Sequence, residues 1–247
     1  MIAASLLPDE VAAIKSPSPG WNWIGWIFNK IRDFSLWESD SWPVGFITFN
    51  YDRILEFALR DMLHLRLKKS IHEASRIVQS APIVHVYGKF TDLAENDRYS
   101  PLDEQARDMW NTLTPLHYRR AEEGIDLLSA TRTSDHSSDR LTAANTMLQT
   151  AETVIFLGFG FDSTNLSRLG VSAQGAWQVL PKTAKIFSTM HGLLGAERHL
   201  PTSIIQSQFS RHNYYSSIDI FAGLKDEDCL SFLRRCVDSS ILLGTKT

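Results

Sequence analysis

The sequence predicts an α/β protein built on a mostly parallel sheet flanked by helices, with a helical insert. Three observations carry that prediction. Four short apolar runs, Val44–Phe49, Ile83–Tyr87, Thr153–Leu157 and Ala184–Ser188, are rich in β-branched and aromatic residues, as buried strands are. Helical patterns separate them, and strands that alternate with helices pack as a parallel sheet covered on both faces. Each run ends at Gly, Asn or another loop-forming residue.

Taken in order, residues 1–43 read as an N-terminal helical segment and residues 44–247 as the α/β domain. The stretch to about Ile14 is expected to be a short helix, broken by Ser16-Pro17-Ser18-Pro19-Gly20. Trp23, Ile24, Trp26, Ile27, Phe28, Ile31 and Phe34 then recur mostly at helical spacing, with Trp37 and Trp42 before Pro43. Core packing is the expected role of this stripe, because a helix needs an apolar face and aromatic side chains bury large area. After the first strand, Ile54, Leu55, Ala58, Leu59, Met62 and Leu63 line one helix face; before the third, Leu141, Ala144, Leu148 and Ala151 do the same. Residues 100–140 show no strand pattern and read as the helical insert, ending in a polar loop over Thr131–Asp139. Ser217–Phe221 is a weaker fifth strand, expected at an edge, and a last helix near Asp226–Val237 turns Leu230, Phe232, Leu233 and Val237 inward.

Composition narrows the function classes. A chain of 247 residues and 28.0 kDa fits one large domain or one domain with a sizeable insert. With a net charge of −3, no nucleic-acid partner is expected. No run approaches the ~18 apolar residues of a membrane span, so no membrane partner is expected either. The N-terminus lacks a basic leader and carries Asp9 and Glu10, so the expected location is the cytoplasm. Cys229 and Cys236 lie two helical turns apart, roughly 10 Å, which is too far for a disulfide and suits a reducing compartment. No metal is expected: His117, His136, His199 and His212 show no ligand spacing and read as surface residues. Lys68-Lys69 and Arg119-Arg120 read as solvated helix faces.

In a parallel sheet, ligands bind beyond the carboxyl ends of the strands, so the residues just past each strand matter most. The first strand runs into Thr48-Phe49-Asn50-Tyr51-Asp52 and then a helix. There Asn50 stands at the strand end, and Asp52 lies near a helix N-terminus, where a carboxylate is favoured. Simple capping explains this pair on its own. The second strand ends in His85-Val86-Tyr87-Gly88-Lys89, with His85 and Tyr87 on one face and Tyr87 at the tip. A strand histidine is ordinarily a satisfied interior residue. The third strand ends in Gly158-Phe159-Gly160-Phe161-Asp162-Ser163-Thr164-Asn165, whose glycines permit close backbone approach to a ligand.

Order and spacing are more specific than any one of these signals. Thr48–Glu56, Thr-Phe-Asn-Tyr-Asp-Arg-Ile-Leu-Glu, resembles the Thr-x-Asn-Tyr-Asp-x-x-Leu-Glu element of the sirtuin-like NAD⁺-hydrolase domains of bacterial defence systems. Val84–Gly88 sits where that family has a hydrophobic strand ending in His-Gly, and Phe156–Asn165 is similar to its Gly-Tyr-Ser-x-x-Asp-x-Asn element. Ile186–Glu197, with Thr189, Gly192 and Glu197, is similar to its last strand and the following helix start.

The resemblance, which covers roughly Val44 to Val237, implies a sirtuin-type, Rossmann-like fold and an NAD⁺ ligand or substrate. It implies that Asn50 positions the nicotinamide ribose and the attacking water, with Asp52 in support and His85 and Tyr87 the other candidates for catalysis. Thr48, Asp52, Gly88, Gly158, Gly160, Asp162, Asn165 and Thr189 are the implied cofactor-binding positions. The implied activity is hydrolysis of NAD⁺ to nicotinamide and ADP-ribose in antiphage defence, by a homo-oligomer or with a partner subunit. Two departures keep a second expectation open. Tyr87 stands where the family has its catalytic histidine, and no Gly-Ala-Gly-x-Ser phosphate loop precedes Val44 within these residues. The alternative is an inactive relative that serves as a binding, regulatory or structural subunit.

Overall fold

A computed structural model describes residues 22–31, 37, 42–89, 135–170, 185–190, 193, 220–222 and 227–237. The chain divides into two compact units, Met1–Ser137 and Ser138–Thr247, and each is built on its own set of parallel strands.

In the first unit, helix α1 (Asn22–Lys30) buries Ile24, Ile27 and Phe28, and Ile31 continues that face past its end. This i, i+3, i+4, i+7 spacing is what a single helical face requires. Trp37 is fully buried, with its ring stacked on Phe28 at 4.9 Å and edge-on to Trp42 at 5.0 Å. Of the aromatic stripe, Ile24, Ile27, Phe28, Ile31 and Trp37 are therefore core, Trp23, Trp26 and Trp42 are half-buried, and Phe34 lies outside the described residues. Gly25 lets α1 lie close to the next helix, since a Cβ there would stand 3.2 Å from Met62 Cε.

Strand β1 (Phe46–Thr48) leads into α2 (Ile54–Leu67), α3 (Ile71–Gln79) and strand β2 (Ile83–His85). The strands pair in parallel, with Thr48 opposite His85. Helix α2 ends where Lys68 turns left-handed, at φ 57°, and sends its N–H to the Leu63 carbonyl. Two residues on, Ser70 starts α3 with a reciprocal capping box: Ser70 Oγ accepts the Glu73 N–H, and Glu73 Oε2 accepts the Ser70 N–H. Phe57, Leu59 and Leu63 form the buried face of α2, joined by Arg60, whose guanidinium lies over the Phe57 ring and pairs with Asp61 at 3.2 Å.

The second unit runs α4 (Asp135–Thr150), β3 (Thr153–Phe156), α5 (Ser163–Arg168), β4 (Lys185–Ser188), β5 (Ile220–Ala222) and α6 (Cys229–Cys236). Its strands lie side by side in the order β3-β4-β5, all parallel, with Phe156 opposite Ser188 and Ser188 opposite Ala222. Ala144 and Leu148, one turn apart, are the buried residues of the α4 face. Helix α6 buries Phe232 and Leu233, and Asp228 Oδ1 caps it by accepting the Ser231 N–H at 2.7 Å. Both cysteines are free.

The chain is thus of mixed α/β character with parallel strands. The strands are shorter than the apolar runs: β1 covers Phe46–Thr48 of Val44–Phe49, and β2 stops at His85, where the Gly88 N–H closes a turn on the His85 carbonyl. Residues 135–139, expected as loop, are the first turns of α4; Asp and Ser are residue types that helix starts favour, so a polar stretch here marks a beginning rather than a gap. The expected first helix to Ile14, insert residues 100–134, Gly192 and Glu197 lie outside the described residues. Among the described residues no helix is long and apolar enough to cross a membrane.

Candidate functional site

The turn after β1 is organised by its own short polar side chains. Thr48 Oγ1 accepts the Asn50 N–H at 3.1 Å, and Asp52 Oδ1 accepts the Ile54 N–H at 3.1 Å, satisfying an orphan donor at the start of α2. Asn50 is exposed, and among the described residues its carboxamide makes no hydrogen bond. Its main-chain carbonyl is held from behind: His85 Nδ1 donates to it at 2.8 Å. The other ring nitrogen, Nε2, lies 2.9 Å from Glu56 Oε1, and Lys89 Nζ stands 3.6 Å from the same oxygen.

His85 and Glu56 are both buried. Burial by itself raises the Glu56 carboxyl, but the hydrogen bond from His85 and the His85 and Lys89 charges outweigh it and hold the group below its ordinary range. Glu56 Oε2 is buried without a partner among the described residues. Burial pushes Asp52 the other way, above the usual carboxylate range, against the lowering effects of the Ile54 N–H and the His85 charge. Tyr87 is buried, its ring edge-on to Phe49 at 5.5 Å and tilted against Tyr51 at 6.2 Å. Gly88, buried and at φ 81°, takes the left-handed conformation that the turn after β2 requires.

In the second unit the loop after β3 is shaped by backbone conformation. Gly158 (φ 61°) and Phe161 (φ 53°) are both left-handed. For a phenylalanine that region is strained, and Phe161 is held there by packing on Phe156 at 5.2 Å and Phe159 at 4.9 Å. Thr189 is buried and accepts the Gly158 N–H on Oγ1 at 2.8 Å, while its own N–H donates to the Phe156 carbonyl at 3.0 Å. Thr189 therefore ties the loop to the end of β4. Asp162 caps α5, its Oδ1 accepting from the N–H groups of Thr164 at 2.8 Å and Asn165 at 3.3 Å. Those donors keep the exposed Asp162 carboxyl below its usual range. At Gly160 a Cβ would meet nothing within 4 Å, so no close contact demands glycine there.

Within the first unit, the structure brings Thr48, Asn50, Asp52, His85, Tyr87 and Gly88 to the carboxyl ends of paired strands. Gly158, Gly160, Asp162, Asn165 and Thr189 gather at the corresponding ends of β3 and β4 in the second. A separate groove of the first unit, lined by Lys69, Glu73, Arg76, Ile77 and Ser80, borders none of these residues. Sequence reading passed over Glu56 and Lys89. Glu56 closes the Thr48–Glu56 element, and its partner lies 29 residues away, so only the strand register reveals the pairing.

What the arrangement offers chemically is an exposed carboxamide at a strand tip on a rigidly tethered turn. Among the described residues no group of three or more His, Cys, Asp or Glu could hold a metal ion. The chain matches no protein-family model, no curated protein and no solved structure.

Proposed function

We propose that the chain is a sirtuin-like, Rossmann-like NAD⁺-binding domain of the cytoplasm that hydrolyses NAD⁺ to nicotinamide and ADP-ribose in prokaryotic antiphage defence. One observation carries the reading: the Asn50 carboxamide is exposed and uncommitted at the carboxyl end of a parallel strand, where such sheets take their ligands. Thr48, Asp52 and His85 fix the backbone that carries it, so the turn is formed before any ligand arrives.

The chemistry suits a site of this kind. Breaking the bond between nicotinamide and ribose builds oxocarbenium character on the ribose carbon, as in glycoside hydrolysis. Nicotinamide enters cationic and leaves neutral, so no general acid is required. Asn50 accepts a hydrogen bond from the attacking water and aims its oxygen at the ribose carbon. The new carbon–oxygen bond forms as the carbon–nitrogen bond breaks, its electron pair leaves on the nicotinamide nitrogen, and the water's proton passes to bulk solvent.

A second reading, an inactive relative that binds without turnover, is favoured by the second strand. Tyr87, at the position of the family's histidine, is packed against Phe49 and Tyr51, and both ring nitrogens of His85 face acceptors. Nicotinamide release from NAD⁺, followed over a range of protein concentrations to cover assembly, separates the two. Turnover that falls ~10²-fold or more in Asn50→Ala supports the hydrolase. Binding by calorimetry with no release at any concentration supports the inactive relative.

A further inference from the structure

We propose that Glu56 and His85 form a charged pair that clamps the Asn50 turn, with His85 a positioning residue whose proton controls the clamp. The clamp is read from geometry alone; its use in holding nicotinamide ribose rests on the reading of Asn50 above.

Hydrogen-bond chemistry fixes the protonation. The Asn50 main-chain carbonyl has no hydrogen to give, so Nδ1, 2.8 Å away, carries one. Nε2 faces Glu56 Oε1 at 2.9 Å, and a carboxylate there requires a hydrogen on Nε2 as well. With Glu56 ionised, both bonds are made together only by the imidazolium. The charged groups around the ring are consistent with this: Asp52 and Glu56 are anions acting on His85, and Lys89 is the further cation, placed against Glu56 rather than against the ring. Because Glu56 Oε2 is buried without a partner among the described residues, the carboxylate depends on what reaches Oε1, namely His85 and Lys89. A neutral ring keeps one N–H. It can then serve the Asn50 carbonyl or Glu56, but not both, and the group left over is a buried polar atom without a partner. Loss of one proton therefore loosens either the turn that carries Asn50 or the helix start that carries Glu56.

The test is nuclear magnetic resonance on the full-length chain, labelled so that the ring nitrogens of His85 and the backbone amide of Asn50 are both seen, between about pH 5 and pH 9. At the acid end both ring nitrogens are expected to carry hydrogen. As His85 gives up its proton, the Asn50 amide signal is expected to move in step. In Glu56→Gln, which keeps the shape and an acceptor oxygen but removes the charge, the ring is expected to lose its second hydrogen more readily than in the wild-type chain. A bare ring nitrogen throughout the range overturns the clamp, as does an Asn50 signal that ignores His85 deprotonation in either protein. If Glu56→Gln does not fold, the wild-type titration decides alone. Adding NAD⁺ to the same samples separates the two proposals, because coupled titration without any NAD⁺ binding upholds the clamp and overturns only the nucleotide reading.

Discussion

In the turn after β1, Asp52 accepts the Ile54 N–H on a half-buried carboxylate, whereas in the loop after β3 Asp162 accepts the Thr164 and Asn165 N–H groups on an exposed one. The capping device is the same, yet the first carboxyl is raised by burial and the second lowered by its hydrogen bonds. The tethers differ in the same way. Asn50 is held by an ion pair, Glu56 with His85, while Gly158 is held by the neutral hydroxyl of Thr189 and by its own left-handed backbone. One loop is therefore governed by charge and proton concentration, the other by conformation.

The largest expected effect breaks the charged side of that comparison. Glu56→Ala leaves a buried imidazolium without its counter-ion, and its cost in urea unfolding is expected to be about 3–5 kcal/mol. A smaller cost, about 1–3 kcal/mol, is expected for Thr189→Val, which strands the Gly158 N–H, whereas Thr189→Ser restores the acceptor and most of the stability. Neither result should change between pH 5 and pH 8 in the second unit, since no titrating side chain holds this tether.

Gly158→Ala puts a Cβ on a residue at φ 61° and is expected to lower stability by about 1–2 kcal/mol, measured by thermal unfolding. Gly160→Ala, with open space and no left-handed requirement, is expected to stay within about 0.5 kcal/mol of wild type. The pair isolates the conformational tether residue by residue.

The smallest expected effect sharpens the electrostatic side. Asp52 binds its proton more tightly folded than unfolded, so its contribution falls as pH rises from its unfolded value of 3.8 through its raised folded one. Glu56 behaves oppositely: its contribution is complete above its unfolded value of 4.5 and is lost as pH falls through its lowered folded one. Asp52→Asn keeps an oxygen for the Ile54 N–H and removes only the charge. Its thermal midpoint is expected to rise slightly above wild type near neutral pH, with the difference vanishing in acid where Asp52 is already protonated.

Much of the scaffold was legible because its signals are local. β-branched runs located the five strands among the described residues to within a few positions, and the spacing of Ile24, Ile27 and Phe28 located a buried helix face. Asp52 was legible as a cap for the same reason, since a cap needs only its own next few residues, whereas the Asp162 cap emerges only in the structure. What stayed hidden depends on partners far along the chain. His85 reads as an ordinary interior histidine until β1 and β2 are set in register with Thr48 opposite His85, at which point Asn50 and Glu56 fall on its two ring nitrogens. Thr189 reads as a ligand contact, and the sequence does not show that its hydroxyl also accepts the Gly158 N–H, 31 residues away. Burial and charge compensation are properties of that assembly and leave no periodic trace in the sequence.

The most direct measurement titrates NAD⁺ into the isotopically labelled chain and follows the side-chain amide signals of Asn50. If that carboxamide receives the nicotinamide ribose, its signals shift saturably with added NAD⁺, and the accompanying shifts of the neighbouring backbone amides are weakened in Asn50→Ala without loss of fold. Side-chain signals that remain fixed at saturating NAD⁺ would contradict the placement of the ligand at the end of β1.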